Sequence, residues 1–148
     1  MKALAINKRA KYDYDILETF EAGLILKGHE VKSIKTGHIS LKGAYIVIKN
    51  NEAFLINANI PSFQPKNMPE GYDPDRTKKL LLHKQEIKSL IGKSKEGGLT
   101  LVPIKVYTKK SKIKLEFGIG KGRKKIDKRE VIKKRETKRE IERKLKEK

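Results

Sequence analysis

Four carboxylates stand close together near the start of this chain: Asp13, Asp15, Glu18 and Glu21. On a strand, Asp13 and Asp15 would share a face, and paired carboxylates could bind a metal or divide acid and base roles between them. The same four residues are equally a set of partners for neighbouring lysines, and a single carboxylate can accept hydrogen bonds from base amino groups. The three histidines, His29, His38 and His83, pair at no spacing that builds a zinc site, and there is no cysteine to complete one. Gly92-Lys93-Ser94 has the look of the end of a phosphate loop, but the glycine such a loop needs five positions earlier is Ile87. It reads as a frayed helix end. Gly118-Ile-Gly-Lys-Gly122 follows a strand pattern and leads into a basic run instead of the apolar helix of a dinucleotide site. It reads as a hinge whose glycines let backbone N–H groups approach phosphate. No nucleophile–base pair appears, so the residues make no positive case for an enzyme.

The charge makes a case for something else. The chain has 148 residues and a net charge of +19. Residues 121–148 alone carry 15 basic and 6 acidic side chains, a net of +9. The remaining 120 residues carry +10. A polyanion that releases counterions is the partner such a surface suits. An anionic membrane would need a basic helix with a broad apolar face. The tail offers only Val131, Ile132, Ile141 and Leu145, with Ile126 just before them. No apolar run approaches the ~20 residues of a membrane helix. The expectation is a soluble, intracellular protein that binds nucleic acid, with no membrane, metal or cofactor. The absence of cysteine excludes disulfides and thiolate metal sites.

The elements that position these groups follow from pattern. Residues 14–26 read as strand, bent or interrupted near Gly23, and 28–37 as a short helix between glycines. Two β-rich runs flank Asn50-Asn51, a pair that tolerates the left-handed turn of a hairpin. Residues 61–76 hold Pro61, Pro65, Pro69 and Pro74 and read as a long loop. Leu80-Leu81-Leu82 either ends a strand or starts a helix. The apolar spacing of Ile87, Leu90 and Ile91 predicts a helix over 83–95, closed by Gly97-Gly98. A strand over 99–107 and a turn at 108–111 lead to strict alternation of Ile113, Leu115, Phe117 and Ile119 with Lys112, Lys114, Glu116 and Gly118. About six short strands and two short helices give a mainly β fold, an OB-like small β-barrel with flanking helices. Most aromatic residues fall in strands. Tyr12, Phe63 and Tyr72 lie outside them, where a ring can stack on a base. The domain reading is a barrel over 1–120 and a basic tail over 121–148. Asp127 with Glu130 starts a helix pattern in the tail that lacks an apolar stripe, so it is expected to be disordered alone and helical on a polyanion.

Eight motifs occur in order: Asn7-Lys8-Arg9-Ala10, Tyr14, Glu21-Ala22-Gly23, Gly28-x-Glu30-Val31-Lys32-Ser33, Asp73-Pro74-x-Arg76-Thr77, Lys79-Leu80-Leu81-Leu82, Lys121-Gly122 and Asp127-Lys128-Arg129. Together they resemble the SmpB family (small protein B, the SsrA-binding protein) over nearly the whole chain. The resemblance implies an OB-like barrel that binds the tRNA-like domain of tmRNA and brings it to stalled ribosomes for trans-translation, which rescues the ribosome and tags the nascent peptide. It implies no covalent chemistry. Asn7 and Glu21 would belong to the tmRNA surface, with Lys8, Arg9 and Lys32 as basic neighbours. Lys121, Gly122, Lys124, Asp127, Lys128 and Arg129 would act in the decoding region, the tail entering the message channel as a helix. The chain departs from the family at Ile126, where His or Tyr is usual, so stacking on an rRNA base gives way there to an apolar contact or to a neighbour. Two other readings stay open at this point: a general ribosome-associated RNA-binding protein, and a metal-dependent RNA-processing enzyme using the cluster near Asp13.

Overall fold

A computed structural model describes residues 2–62, 71–95, 97–123, 129, 132–136, 138–139 and 141. Along the chain run β1 (Lys2–Ile6), α1 (Ala10–Asp13), β2 (Tyr14–Leu24), α2 (Gly28–Lys35), β3 (Tyr45–Lys49), β4 (Glu52–Ile56), β5 (Lys78–Leu81), α3 (Lys84–Ser94), β6 (Leu99–Lys109) and β7 (Lys112–Gly122). The seven strands form one antiparallel sheet in the order β1-β6-β7-β2-β5-β4-β3. The sheet curls until β3 packs against β6, wrapping its concave face around the core. The mainly β, OB-like expectation is borne out.

Both hairpins turn on two residues with positive φ, the geometry that matches strand twist. In β3–β4 these are Asn50 and Asn51, as their residue types suggest. In β6–β7 they are Lys110 and Ser111, which announce the turn far less clearly. The other differences from the sequence reading have local causes. β1 was not foreseen, because a five-residue edge strand half exposed along its length carries little alternation. β2 is not interrupted at Gly23. It continues to Leu24, and Gly23 sits opposite Leu81, where an added Cβ would come within 3.2 Å of the Leu81 Cβ. Leu80 and Leu81 belong to a strand, and Gly92-Lys93-Ser94 does close α3.

The glycines of β7 correct the hinge reading. Gly118 and Gly120 lie mid-sheet, paired with both β2 and β6. A Cβ at Gly118 would stand 2.7 Å from Ile16 Cγ2 and 3.0 Å from the Glu18 carbonyl oxygen. At Gly120 it would meet Tyr14 Cβ at 2.9 Å. These glycines give close packing and no bending. The sheet also runs two residues past the expected end of the barrel. Lys121 pairs with Asp15 and Leu99, and Gly122 with Tyr14.

Bulges reverse the alternation of three strands: at Ala3/Ala5 in β1, Ile16/Glu18 in β2 and Pro103/Lys105 in β6. The main core, with Phe117, Leu115, Leu55, Leu80, Ile34 and Leu90, therefore includes Val106. Val102, before the β6 bulge, and Ile104, within it, face the opposite side and pack with Ala10, Tyr14 and Ile16. The four-residue α1 thus covers one end of the sheet's outer face and leaves the other end bare.

Filling the Gly118 site should strain this crossing. Gly118→Ala is expected to cost about 1–3 kcal/mol of unfolding free energy. Gly122→Ala, with no atom within 4 Å of the added carbon, should stay within about 0.5 kcal/mol of the parent. Urea denaturation of the two variants measures both.

Candidate nucleic-acid interface

The bare end of the outer face is a field of alternating side chains. β6 contributes Lys105, Tyr107 and Lys109, and β7 contributes Lys112, Lys114 and Glu116. β2 contributes Glu21, which stands opposite Glu116, itself opposite Lys105. Lys105 and Glu116 form an ion pair at 3.4 Å. Glu21 accepts a hydrogen bond from the buried Tyr107 hydroxyl and lies 3.5 Å from Lys109 Nζ. The Tyr107 bond, with Lys109 second, holds the Glu21 carboxyl below its ordinary pKa. Burial and the Glu21 carboxylate push the Tyr107 phenol the other way. Glu21 is therefore a fixed, ionised acceptor in a lysine-rich face. Beside it, Leu81 is 52% exposed opposite Gly23, and Ile25 is exposed next to it. Four lysines, a bound carboxylate and an apolar edge can together engage phosphates, a base amino group and a base face.

Asn7, Lys8 and Arg9 adjoin this face. Asn7 and Lys8 line a shallow groove with Lys105 and Glu116. The Asn7 side chain is occupied in building the corner: its Nδ2 donates to the Pro103 carbonyl at 2.8 Å and its Oδ1 accepts from the Arg9 N–H at 3.3 Å. These two bonds fix the turn that carries Lys8 and Arg9. Arg9 donates two hydrogen bonds to the Asp13 carboxylate, each at 3.2 Å, and lies over the Tyr12 ring. Lys32 stands exposed on α2, and among the described residues no ion pair ties it to this face. Lys121 and Gly122 sit exposed at the end of β7. Arg129 is exposed and helical, as are residues 132–136, 138–139 and 141. Lys124, Ile126, Asp127 and Lys128 lie outside the described residues, as does Phe63.

The acidic cluster does not assemble into one site. Asp13 bonds Arg9, Asp15 lies 4.0 Å from Arg123, Glu18 pairs with Lys93, and Glu21 bonds Tyr107. Each carboxylate has a different partner, and no group of three metal-binding side chains converges among the described residues.

Other motif residues are clamps. Glu30 is fully buried at the start of α2. It accepts from the Lys27 N–H at 2.8 Å and from Arg76 Nη2 at 2.5 Å. Burial opposes its ionisation, but Arg76 and the Lys27 N–H prevail, and its pKa is lowered. Lys78, also buried, donates to the Ala58 carbonyl at 2.7 Å, and burial lowers its pKa. Ser33 Oγ donates to the Pro61 carbonyl at 2.6 Å, and the Tyr72 hydroxyl donates to the Ile60 carbonyl at 2.5 Å. Lys78, Ser33 and Tyr72 fix the segment 58–61, with Ser33 tying it to α2, while Glu30 holds Arg76 to the start of that helix. The sequence did not single out Tyr107, Lys105 or Lys109, although the strict alternation across 112–119 marks the wet face of the neighbouring strand. Leu81 carried no signal, because nothing in a run of three leucines says which one faces out.

Comparison with known proteins adds a separate line. Residues 4–147 match the family model described as SmpB protein. The SsrA-binding protein of Geobacillus kaustophilus (strain HTA426) is 50% identical over 146 residues, covering 99% of this chain and 94% of that protein. That of Thermosipho africanus (strain TCF52B) is 50% identical over 147 residues, covering 99% and 98%. A solved structure from "tmRNA-SmpB: a journey to the center of the bacterial ribosome" superimposes with a TM-score of 0.67 at 42% identity, over 81% of this chain and 84% of that chain.

Two outcomes follow from the electrostatics. Tyr107→Phe should let the Glu21 pKa rise toward the ordinary carboxylate value, read by NMR pH titration of its side-chain carbon. For Glu30, a depressed folded pKa means stability that is complete above the unfolded value of about 4.3 and is lost as pH falls through the folded one. Glu30→Gln should cost about 3 kcal/mol at pH 7, at the low end for a broken buried pair because Arg76 is 28% exposed. Its stability should also fall less steeply than the parent's below about pH 4. Denaturant melts across pH test both.

Proposed function

Because the chain belongs to the SmpB family, we propose that it is an RNA-binding adaptor, which binds the tRNA-like domain of tmRNA and delivers it to stalled ribosomes for trans-translation. The observation that carries this reading is the bare sheet face, where Lys105, Lys109, Lys112 and Lys114 surround an ionised Glu21. The lysines engage phosphates and release counterions, which supplies affinity. Glu21 supplies selectivity as a carboxylate, held ionised by Tyr107 and Lys109, that accepts hydrogen bonds from a base amino group. Lys8 and Arg9 extend the footprint past the corner that Asn7 builds, and Lys32 is a further basic side chain, exposed on α2. No group in this footprint is an activated nucleophile, so the adaptor binds and releases RNA without changing it.

The second surface is the C-terminal arm. Lys121 and Gly122 leave the sheet toward Lys124, Asp127, Lys128 and Arg129, which would meet the decoding region while the rest enters the message channel as a helix. The high positive charge of this segment supports that reading, as does the exposure of every described residue from 129 to 141. No described helix is long and apolar enough to cross a membrane, and ribosome rescue places the adaptor in the cytoplasm.

The two surfaces should separate. The cut belongs after Arg123, because the Arg123 N–H donates to the Asp13 carbonyl at 2.8 Å and its side chain to the Tyr14 carbonyl at 3.3 Å. A chain of residues 1–123 should keep its affinity for tmRNA and lose peptide tagging in a reconstituted translation system. Loss of tmRNA affinity on this truncation would count against the proposal. Glu21→Ala should weaken tmRNA binding even though it removes a negative charge beside RNA; tighter binding would take Glu21 off the interface.

A further inference from the structure

A groove of about 720 Å³ opens on the far side of the Asn7 corner. One wall is the corner itself with Tyr14, the floor is the start of β6, and the other wall is the segment leading into β3, with Lys42, Gly43 and Tyr45. That second wall is rigid. The Ala44 N–H donates to the Leu41 carbonyl at 3.0 Å across a turn in which Gly43 has a φ of +75°. Positive φ at the third residue is the mark of a type II turn, and it leaves Lys42 at the tip. Ser40 is bridged to Asn59 by two backbone hydrogen bonds, at 2.9 and 3.0 Å, so the turn is pinned to the chain beyond β4.

The chemistry of the walls is divided. Tyr14 and Tyr45 supply aromatic surface, and Tyr45 is 44% exposed although it begins a strand. On the rim, Arg9 is neutralised by Asp13, while neither Lys8 nor Lys42 is engaged in an ion pair among the described residues. A slot of this size with aromatic sides and uncompensated lysines at its mouth matches one planar apolar group carrying a negative charge. In a protein with a net charge of +19, that group is part of a nucleic acid.

We propose that this groove takes one unstacked nucleotide of the bound RNA, its base against Tyr45 and Tyr14 and its phosphate on Lys8 and Lys42. A tyrosine face accepts any base, so the groove selects for an extruded or looped-out nucleotide over a paired one. It rests on the tmRNA reading only for the identity of the RNA. It adds a requirement of that RNA: an unpaired nucleotide must project within reach of the Asn7 corner.

The test uses the full chain and three probes: a transcript of the tRNA-like domain, a mixed-sequence single-stranded RNA decamer, and a blunt RNA duplex. Tyr45→Ala should weaken binding of the transcript and the decamer about tenfold, the scale of one lost stacking contact. It should leave duplex affinity and the thermal melt unchanged. Tyr45→Phe, which keeps the ring, should bind like the parent. Lys42→Ala should weaken transcript binding and lower its salt slope by about one. Unchanged affinity of Tyr45→Ala for transcript and decamer, or an equal loss on the duplex, overturns the proposal. A change in sedimentation of that variant without RNA would instead assign the groove to a second copy of the chain, and overturns it too. A parent protein that binds the transcript no better than bulk tRNA, while Tyr45→Ala still loses the decamer, would remove the tmRNA reading and leave the groove standing.

Discussion

Where β2 crosses β7, Gly118 and Gly120 place no Cβ between the outer face of the sheet and the side chains of Ile16 and Tyr14. Those two side chains lie directly on backbone, close enough for α1 to be held down by Ala10 against Val102 and Ile104. The crossing is possible only because β2 and β6 each bulge there, which turns their alternation over. The outer face is thereby cut into an apolar half and a charged half. The charged half is the surface on which the functional reading rests, and the nucleotide groove borders the apolar half. Both sites depend on the same two missing side chains.

A second constraint works at the opposite end of the sheet. Glu30 and Lys78 are charged and fully buried, which is tolerable only because their polar atoms have partners. Arg76 reaches Glu30, Lys78 reaches the Ala58 carbonyl in the segment after β4, and Tyr72 and Ser33 reach the carbonyls of Ile60 and Pro61. Three side-chain donors hold one irregular stretch of backbone, whose strand-like contact is the bridge between Asn59 and Ser40. Ionic and polar residues are used here because the carbonyls need donors, and an apolar core would leave them unsatisfied.

Much of this was legible in the residues. The alternation of 112–119, the Asn50-Asn51 turn, the helix over 83–95 and the short helix after Gly28 each carry a local signal strong enough to survive packing. The order of motifs by itself points to the SmpB family. What was not legible is what depends on distant partners. β1 is a strand because β6 offers it an edge. The β7 glycines looked like a hinge because sequence does not reveal that Ile16 and Tyr14 lie across them. Bulges leave no mark in composition, so which face Val102 or Lys105 would take was beyond pattern. Tyr107 read as one more core aromatic, and only its hydroxyl, aimed at Glu21, separates it from the others.

The pairing of the sheet also sets a timetable. Lys2 stands beside Thr108 and Tyr14 beside Gly122, so the first two strands emerge from synthesis long before their neighbours exist. Only the β3–β4 hairpin can close early. Folding of such a chain is governed by distant contacts and is slow for its size. The barrel is completed only when its final strand is made. Until then β1 and β2 wait as open edges, and Lys2 on the first with Asp15, Glu18 and Glu21 on the second place charge there, which disfavours edge-to-edge pairing of two nascent copies.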